Sequence, residues 1–539
     1  MRYNNYHKHD HISNIFTPDV NVHAEDYIKK CEEYGHTNYF TTNHGSFGDI
    51  FEARTLCDQY GLRCIAGIEG YIVPDPLEKD KRNYHIIIIP KTDKARKKMN
   101  YVSSMASIRG YYYKPRIFMD DLLKLDSNDI YITSACCAGL LRDSDAIEQI
   151  LLPLVNHFGD NVMLEVQNHN VEIQKDINRK ALVMSQDMGL RLIAANDSHW
   201  IGEGGGQERL ELLKGKGITY DDEDTFILDF PDYDEMFRRF QVQGVLTDSQ
   251  IEEAISNTLL FDDCEEIQLD HSIKMPTIYS ELTPDERYKL LEKEVWNRFE
   301  RIRVDDKITD EELPKYIDGI NYELKTVKDT NDEIHTADYF LLNEKIVKKA
   351  VEEYDGVLTR GGRGSCASFY INRLLGMTQL DRFRIKLPIY PDRFASTARL
   401  LENRALPDID YNVKSQEEFV RATRDLLGEN GCYPMIAYGT MQMSEAFRNV
   451  CRSHEIPHEE YNEVGKNLEA YESNKKWKPI IDEAKKYVGT VVSASVHPCA
   501  FCLSNKDILY EYGVVKVGDA MCVMITSGEA DEYKVLKND

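Results

Sequence analysis

Two aspartates stand two apart in Leu406-Pro407-Asp408-Ile409-Asp410-Tyr411, a segment that reads as a short strand. Period-2 geometry puts both carboxylates on one face. A carboxylate pair on a rigid element suits Mg²⁺, a hard cation that takes oxygen ligands. Upstream, a strand over Val357–Thr359 leads into Arg360-Gly361-Gly362-Arg363-Gly364-Ser365, and a helix is expected over Cys366–Leu375, closed by Gly376. Glycines let backbone N–H groups approach a phosphate, and two arginines beside a helix start add positive potential. Arg360, Gly362, Arg363, Gly364 and Ser365 are therefore candidate nucleotide-binding residues. The run is not a Walker A loop, because no Gly-Lys-Ser/Thr follows, and it does not match G-x-G-x-x-G.

A second set of chemistry-bearing residues lies in the N-terminal third. His7 and His9 open the chain, with Asp19 close behind. His44, Glu69, His85, Cys136, Asp197 and His199 then recur beside apolar runs. Imidazole, thiolate and carboxylate brought together bind Zn²⁺, Mn²⁺ or Fe²⁺. One histidine alone is usually a structural residue; the repetition is what points to a metal centre.

The elements that must position this set are legible as alternating short β runs and amphipathic helices up to about Trp200. Strands are expected at 38–42, 63–68, 85–90, 129–133, 162–166 and 191–195, and helices at 24–34, 50–60 and 174–188. Such alternation predicts a parallel sheet or barrel. The C-terminal strand ends of a (β/α) barrel converge on one mouth, where these donors would meet. After Trp200 the pattern changes. Gly204-Gly205-Gly206 reads as a flexible loop and Asp221-Asp222-Glu223-Asp224 as a solvated acidic loop. Asp285–Ile302 has a helical period, with Leu290, Leu291, Val295 and Phe299 on one face.

The whole chain has 539 residues, enough for several domains, with a net charge of −26. That charge argues against coating nucleic acid through bulk electrostatics. It leaves room for a local basic surface, and arginines gather at 360, 363, 373, 382, 384, 393, 399 and 404. No apolar run is long enough to span a bilayer, and the N-terminus lacks a secretory h-region, so a cytoplasmic home without membrane contact is expected. The 12 cysteines show no disulfide framework and read as reduced thiols.

Tyr6-His7-Lys8-His9, Thr42-Asn43-His44-Gly45, Gly67-Ile68-Glu69-Gly70-Tyr71, Tyr84-His85-Ile86, Ser134-Ala135-Cys136 and Asn196-Asp197-Ser198-His199 resemble the polymerase-and-histidinol-phosphatase (PHP) domain. More narrowly, they resemble the PHP domain of the bacterial, or phage-encoded, DNA polymerase III alpha subunit, the C-family of replicative polymerases. Tyr112-Tyr113-Lys114-Pro115-Arg116-Ile117 and Leu164-Glu165-Val166-Gln167-Asn168-His169 fit it too. Gly362-Arg363-Gly364-Ser365 and Pro407-Asp408-Ile409-Asp410 are similar to the palm motifs of the same family. The similarity continues through Ile436–Met441 and Phe447–Val450.

The resemblance implies an α/β chain: a distorted (β/α)₇ PHP barrel, then a polymerase-β-like nucleotidyltransferase palm with a small helical thumb inserted. The expected domains are 1–270 (PHP), 271–440 (palm, first part), 441–493 (thumb) and 494–539 (palm, second part). It implies Zn²⁺ or Mn²⁺ on His7, His9, Asp19, His44, Glu69, His85, Cys136, Asp197 and His199, and a possible 3′–5′ exonuclease there. It implies Mg²⁺ on Asp408, Asp410 and Asp539, the last being the third catalytic carboxylate. Primer–template DNA and dNTPs would be the substrates.

Three departures stand out. Asn43 occupies a position where the family has Asp, Asp19 is unusually spaced from His9, and Ser444 replaces a basic residue. His497-Pro498-Cys499-Ala500 also lacks the glycines of the family's His-Ala-Gly-Gly. The fingers have no counterpart, so a C-terminal portion or partner chain is expected to carry them, and through it sliding clamp and loader. A split gene, an intein junction or a truncation would each account for that. Two other readings are a PHP phosphoesterase with an inactive palm, and a non-catalytic fragment that assembles with a C-terminal partner.

Overall fold

The computed structural model describes residues 2–79, 82–202, 204–219, 225–359, 361 and 363–538. The expected acidic loop at 221–224 lies outside them, as do Arg360, Gly362 and Asp539. The chain divides into two compact units. Unit 1 comprises Met1–Leu269, Ile436–Ser495 and Tyr512–Met524; unit 2 comprises Asp270–Met435, Val496–Glu511 and Ile525–Asp539. The segment expected as a thumb, 441–493, therefore falls wholly in unit 1.

Unit 1 holds β1 (Asn38–Thr41), β2 (Arg63–Ala66), β3 (Ile68–Ile72), β4 (Tyr84–Pro90), β5 (Arg116–Ile117), β6 (Ile130–Thr133), β7 (Val162–Gln167) and β8 (Leu192–Ala195). β1 pairs with β2, and the other six run β5-β3-β4-β6-β7-β8. Isolated bridges close the ring. Lys8 bridges Ser198 beyond β8, and the Lys8 N–H donates to Thr42 Oγ1 beyond β1 at 3.1 Å. His44, also beyond β1, bridges Glu69 in β3. Seven staves result: the 6–9 segment, β1, β2 continued as β3 past Gly67, β4, β6, β7 and β8. β4 runs antiparallel to both neighbours, which distorts the ring. β4 is apolar on both faces, as a strand covered on both sides must be; its Ile86, Ile87, Ile88 and Ile89 are all fully buried.

Helices Ala24–Glu33, Ile50–Tyr60 and Glu172–Met188 lie where helical periodicity put them. Gly61 and Gly189 end the latter two in left-handed conformation. The glycine run at 204–206 differs from expectation. It is not a free loop: Gly205 opens a helix to Lys216, and an added Cβ there would meet Trp200 at 2.9 Å. Helix Met443–Ser453 packs on that helix, with the Arg452 Nε–H donating to the Gly215 carbonyl at 2.6 Å.

Unit 2 is mainly helical around a large apolar core. Helix Pro284–Asp305 starts with a capping box between Thr283 and Glu286 and buries Leu291, Val295 and Phe299. It packs with helices Leu313–Ile334 and Thr336–Tyr354. Phe340, Phe369 and Phe394 form an aromatic cluster with ring centroids 5.3 to 6.2 Å apart. The remaining strands are β9 (Cys432–Thr440), β10 (Val491–Leu503), β11 (Val514–Val517), β12 (Ala520–Val523) and β13 (Lys537–Asn538). The unit boundaries cut β9 and β10; β11 and β12 belong to unit 1, and β13, which pairs antiparallel with Phe501 and Cys502, to unit 2.

Three local expectations in unit 2 are corrected. Among the described residues the segment 405–412 enters no strand ladder, and Val413 beside it forms an isolated bridge with Leu358. The strand at 357–359 reduces to that same bridge. The helix expected over 366–375 is a 3₁₀ turn, Cys366–Ser368, then a break at extended Phe369, then the short helix Tyr370–Leu374. Packing of Phe369 on Phe340 and Phe394 holds that break.

Candidate functional site

In unit 1 all nine expected donors come together. The 6–9 segment supplies His7 and His9, the turn after β1 His44, and β3 Glu69. β4 supplies His85, the turn after β6 Cys136, and the turn after β8 Asp197 and His199. Asp197 sits at φ +53° and Cys136 follows Ala135 at φ +56°, so tight turns aim both inward. His7 Nε2 and His9 Nε2 each lie 3.1 Å from Asp197 Oδ1. Glu69 is central: its Oε2 is 2.7 Å from His44 Nδ1 and 3.3 Å from His9 Nε2, and its Oε1 is 2.8 Å from His85 Nδ1. Cys136 Sγ is 3.6 Å from His85 Nδ1. His199 Nε2 is 3.3 Å from Asp19 Oδ2, and Arg209 pairs with the other Asp19 oxygen. The unusual spacing of Asp19 thus still brings its carboxylate to the cluster.

Three overlapping triads could each hold a cation: His9/His44/His199, His7/His9/Glu69 and Glu69/His85/Cys136. Several atoms are buried without a hydrogen-bond partner among the described residues: His7 Nε2, His9 Nε2, His44 Nδ1, Glu69 Oε2 and Asp197 Oδ1. Buried polar atoms of this kind are normally satisfied. Donors this close but not hydrogen-bonded fit a divalent cation between them.

The electrostatics keep the cluster's carboxylates ionised, while those carboxylates raise the His7, His85 and His199 imidazoles above their ordinary range. Burial opposes ionisation of Glu69, but His85, His44 and His9 outweigh it and hold its carboxyl well below the usual range. Burial likewise opposes ionisation of Asp197, and His7 and His199 hold it low. Burial and neighbouring His44 push the His9 imidazole down to about 3, leaving it neutral, as a ligand must be.

Glu165, which the spacing argument passed over, stands behind this cluster. Its Oε1 is 2.7 Å from His7 Nδ1, while its Oε2 accepts from Tyr6 and Thr133 hydroxyls at 2.8 Å. The carboxylate fixes the imidazole so that Nε2 faces inward. A buried acid in the middle of apolar β7 was the available signal. Asn43 also lies outside the cluster: its Oδ1 accepts from Ser13 Oγ at 2.8 Å, and Ser13 Oγ is 3.2 Å from His9 Nδ1.

In unit 2, Ile409 is fully buried while Asp408 and Asp410 are partly exposed. Alternation survives without a ladder, so the two carboxylates share the face opposite Ile409. Three contacts hold the segment: the Tyr339 hydroxyl donates to the Pro407 carbonyl, the Tyr411 hydroxyl to Asn343 Oδ1, and the Asn538 side-chain amide to the same Asn343 oxygen at 2.8 Å. Asn343, on helix Thr336–Tyr354, thereby ties the aspartate segment to β13. The Thr359 N–H donates to the Asn412 carbonyl at 2.6 Å, bringing the glycine loop alongside. Gly364 has φ +58°, and a Cβ there would lie 1.7 Å from Asp410 Oδ2. Only glycine fits, on both counts.

Arg363 and Asp410 line one cavity of about 340 Å³ together with Lys414 and Asn538. Ser365 sits in the turn just before the 3₁₀ segment, its carbonyl accepting from Ser368. Lys537 Nζ lies 3.4 Å from Asp408 Oδ1 and 3.2 Å from Asp531 Oδ1. Lys537, Asn343 and Tyr339 were not legible as site residues, because only packing brings them to the aspartates. Among the described residues no helix is long and apolar enough to cross a membrane.

A cluster of candidate metal donors thus sits at one mouth of a (β/α) ring, and a carboxylate pair packs on a glycine loop. Both regions match family models. Residues 6–169 match the PHP domain, and residues 289–539 match the bacterial DNA polymerase III alpha NTPase domain. Together the two matches span most of the chain, which is similar to DNA polymerase III alpha subunits. It is 26% identical over 479 residues to the DNA polymerase III subunit alpha of Borreliella burgdorferi, covering 85% of this chain and 40% of that one. It is 23% identical to that of Aquifex aeolicus, with the same coverage of both chains. The chain thus spans about two-fifths of the length of these relatives. A solved structure described as a metal-dependent phosphoesterase from Bifidobacterium adolescentis aligns with 46% of this chain and 97% of its own, at 15% identity and a TM-score of 0.25.

Proposed function

We propose that this chain carries the catalytic carboxylates of a template-directed DNA polymerase, joined to a PHP centre that hydrolyses 3′ ends of DNA. The observation that carries the polymerase reading is the contact of the Gly364 backbone with Asp410. It unites two motifs separated by more than forty residues in the sequence into one nucleotidyl-transfer site.

Asp408 and Asp410 would hold Mg²⁺, with Asp539, outside the described residues, as the third carboxylate. Bound there, divalent cations supply activation of the primer 3′-OH and charge neutralisation at the triphosphate. The chain's own part is positional. Tyr339 and Asn343 fix the aspartate segment, Gly364 lets the loop close on it, and Arg363 faces the same cavity as Asp410 to orient phosphates. Arg360, Gly362 and Ser365 would complete that phosphate cradle.

In the barrel, His7, His9, Asp19, His44, Glu69, His85, Cys136, Asp197 and His199 would hold Zn²⁺ or Mn²⁺, which supply an activated water for phosphodiester hydrolysis. Glu165 keeps His7 in the ligating tautomer, and Arg209 keeps Asp19 ionised. Primer–template DNA and dNTPs are the substrates of this reading.

The convergence of all nine donors favours a second reading, a PHP phosphoesterase whose palm is inactive. One experiment separates the two. Primer extension and 3′-end hydrolysis are assayed with the chain alone and with a C-terminal portion from a relative supplied. Metal-dependent extension in the reconstituted sample supports the first. Hydrolysis without extension under every condition selects the second.

A further inference from the structure

The barrel's donor cluster opens into a cavity of about 900 Å³. That is far more room than an ion needs. Its lining also includes Ile173, Phe226 and Leu228, the last accepting from the His199 N–H at 2.6 Å through its carbonyl. Arg209, in the same lining, is bound to Asp19. Lys114 is different. Its ammonium donates to Thr17 Oγ1 at 2.7 Å and stands 5.4 Å from the Tyr71 ring centroid and 5.7 Å from that of Phe16. Among the described residues no carboxylate lies within 4 Å of it.

The support of Lys114 is rigid. The Tyr112 N–H donates to the Lys114 carbonyl at 3.0 Å across a turn at Tyr113, which has φ +60°. The following Arg116 is buried and donates to the Gly110 and Glu78 carbonyls. A half-buried cation with only a hydroxyl and two ring faces for company lacks its anion. Burial pushes its pKa down to about 8, with Asp19 and Glu69 favouring the charge from a distance. Those two carboxylates are engaged when cations occupy the cluster, which leaves the ammonium more in need of an anion from the cavity.

We propose that Lys114 is a phosphate anchor of this cavity, holding the phosphodiester of a terminal nucleotide whose base lies along the Phe226–Ile173 wall. The proposal rests on the PHP reading above. It adds the residue that recognises the terminal nucleotide of the DNA substrate which that reading already names. A compact ammonium has three donors for phosphate oxygens. Phe226 offers a face on which any base stacks.

The test compares wild type, Lys114→Met, Lys114→Arg and His9→Ala, all as the full chain with Mn²⁺. Two quantities are read: hydrolysis of a 5′-labelled single-stranded oligodeoxynucleotide, and calorimetric binding of dAMP. Loss of a charged hydrogen bond to phosphate raises KM and the dAMP Kd about ten- to a hundredfold in Lys114→Met. Lys114→Arg recovers most of that. Wild-type affinity falls as pH rises through the lysine's pKa, while that of Lys114→Arg stays flat.

Equal dAMP affinity in wild type and Lys114→Met overturns the anchor, as does no dAMP binding by wild type. A wild-type Kd unchanged across that pH range overturns it too, and this needs no variant to fold. Full hydrolysis by His9→Ala overturns instead the assignment of the metal centre, and the dAMP measurements then judge Lys114 separately.

Discussion

The two carboxylate sites of this chain are built in opposite ways. In the barrel, Glu69 is fully buried, ringed by imidazoles and fixed inside a strand. In unit 2, Asp408 and Asp410 sit half-exposed on extended chain that has no ladder. Buried donors without partners cost free energy until an ion satisfies them. Half-exposed carboxylates cost little while they wait, because water solvates them. The first design suits a resident metal; the second suits cations that arrive and leave with a substrate, such as Mg²⁺, which keeps several waters. The lesson is that burial, rather than donor count, separates a permanent centre from a transient one.

The largest expected effect tests the exposed site. Asp408→Asn lowers primer extension by the reconstituted enzyme about a thousandfold or more, since it removes an anionic ligand for the cation. Hydrolysis of 3′ ends is unaffected. Extension at the wild-type rate would remove the aspartate pair from the mechanism.

Gly364→Ala comes next. The methyl group displaces Asp410, and extension falls about tenfold to a thousandfold while thermal stability changes by only a few degrees. Wild-type extension would show that the loop is not part of the site.

Glu165→Gln sharpens the buried side of the contrast. Loss of the carboxylate behind His7 weakens metal binding about 10- to 100-fold, measured by competition with a chromogenic chelator. Unchanged affinity would mean His7 is not a ligand.

Chelation gives a further check. A site loaded at a hundredfold excess over its Kd contributes about 2.7 kcal/mol, so stripping the metal lowers Tm. The drop is expected in wild type and absent in a His9→Ala, Glu69→Gln double variant. Equal drops in both would place the tight metal elsewhere.

The smallest effect concerns Glu323, the counterpart of Glu69 in unit 2. It accepts from the Ile371 N–H at 2.8 Å and from Arg382 Nε at 3.0 Å. Burial nevertheless prevails over Arg382, and its carboxyl is pushed up to about 7. A raised folded-state pKa means that the stability it confers is full below the ordinary carboxylate range and is lost as pH rises towards about 7. Glu323→Gln therefore flattens the fall in stability across that window, read as denaturation midpoints at several pH values. An unchanged slope would show that Arg382 dominates instead.

Much of the barrel was legible along the chain. Period, strand propensity and left-handed glycine caps are local properties, and they placed the strands and helices around His44, His85 and His199 to within a few residues. Donor types at successive strand ends, read with the family motifs, named the cluster. What local rules could not supply was partnership. The break at Phe369 depends on Phe340 and Phe394, and the ordered glycines at 205–206 depend on Trp200. Among the described residues the aspartate segment enters no ladder, and beside it Val413 bridges Leu358. Glu165, Lys114, Asn343 and Lys537 read as ordinary residues until distant chain packs against them. Only tertiary structure decided which polar atoms were left without partners, because satisfaction of a buried group depends on everything around it and not on its own position in the chain.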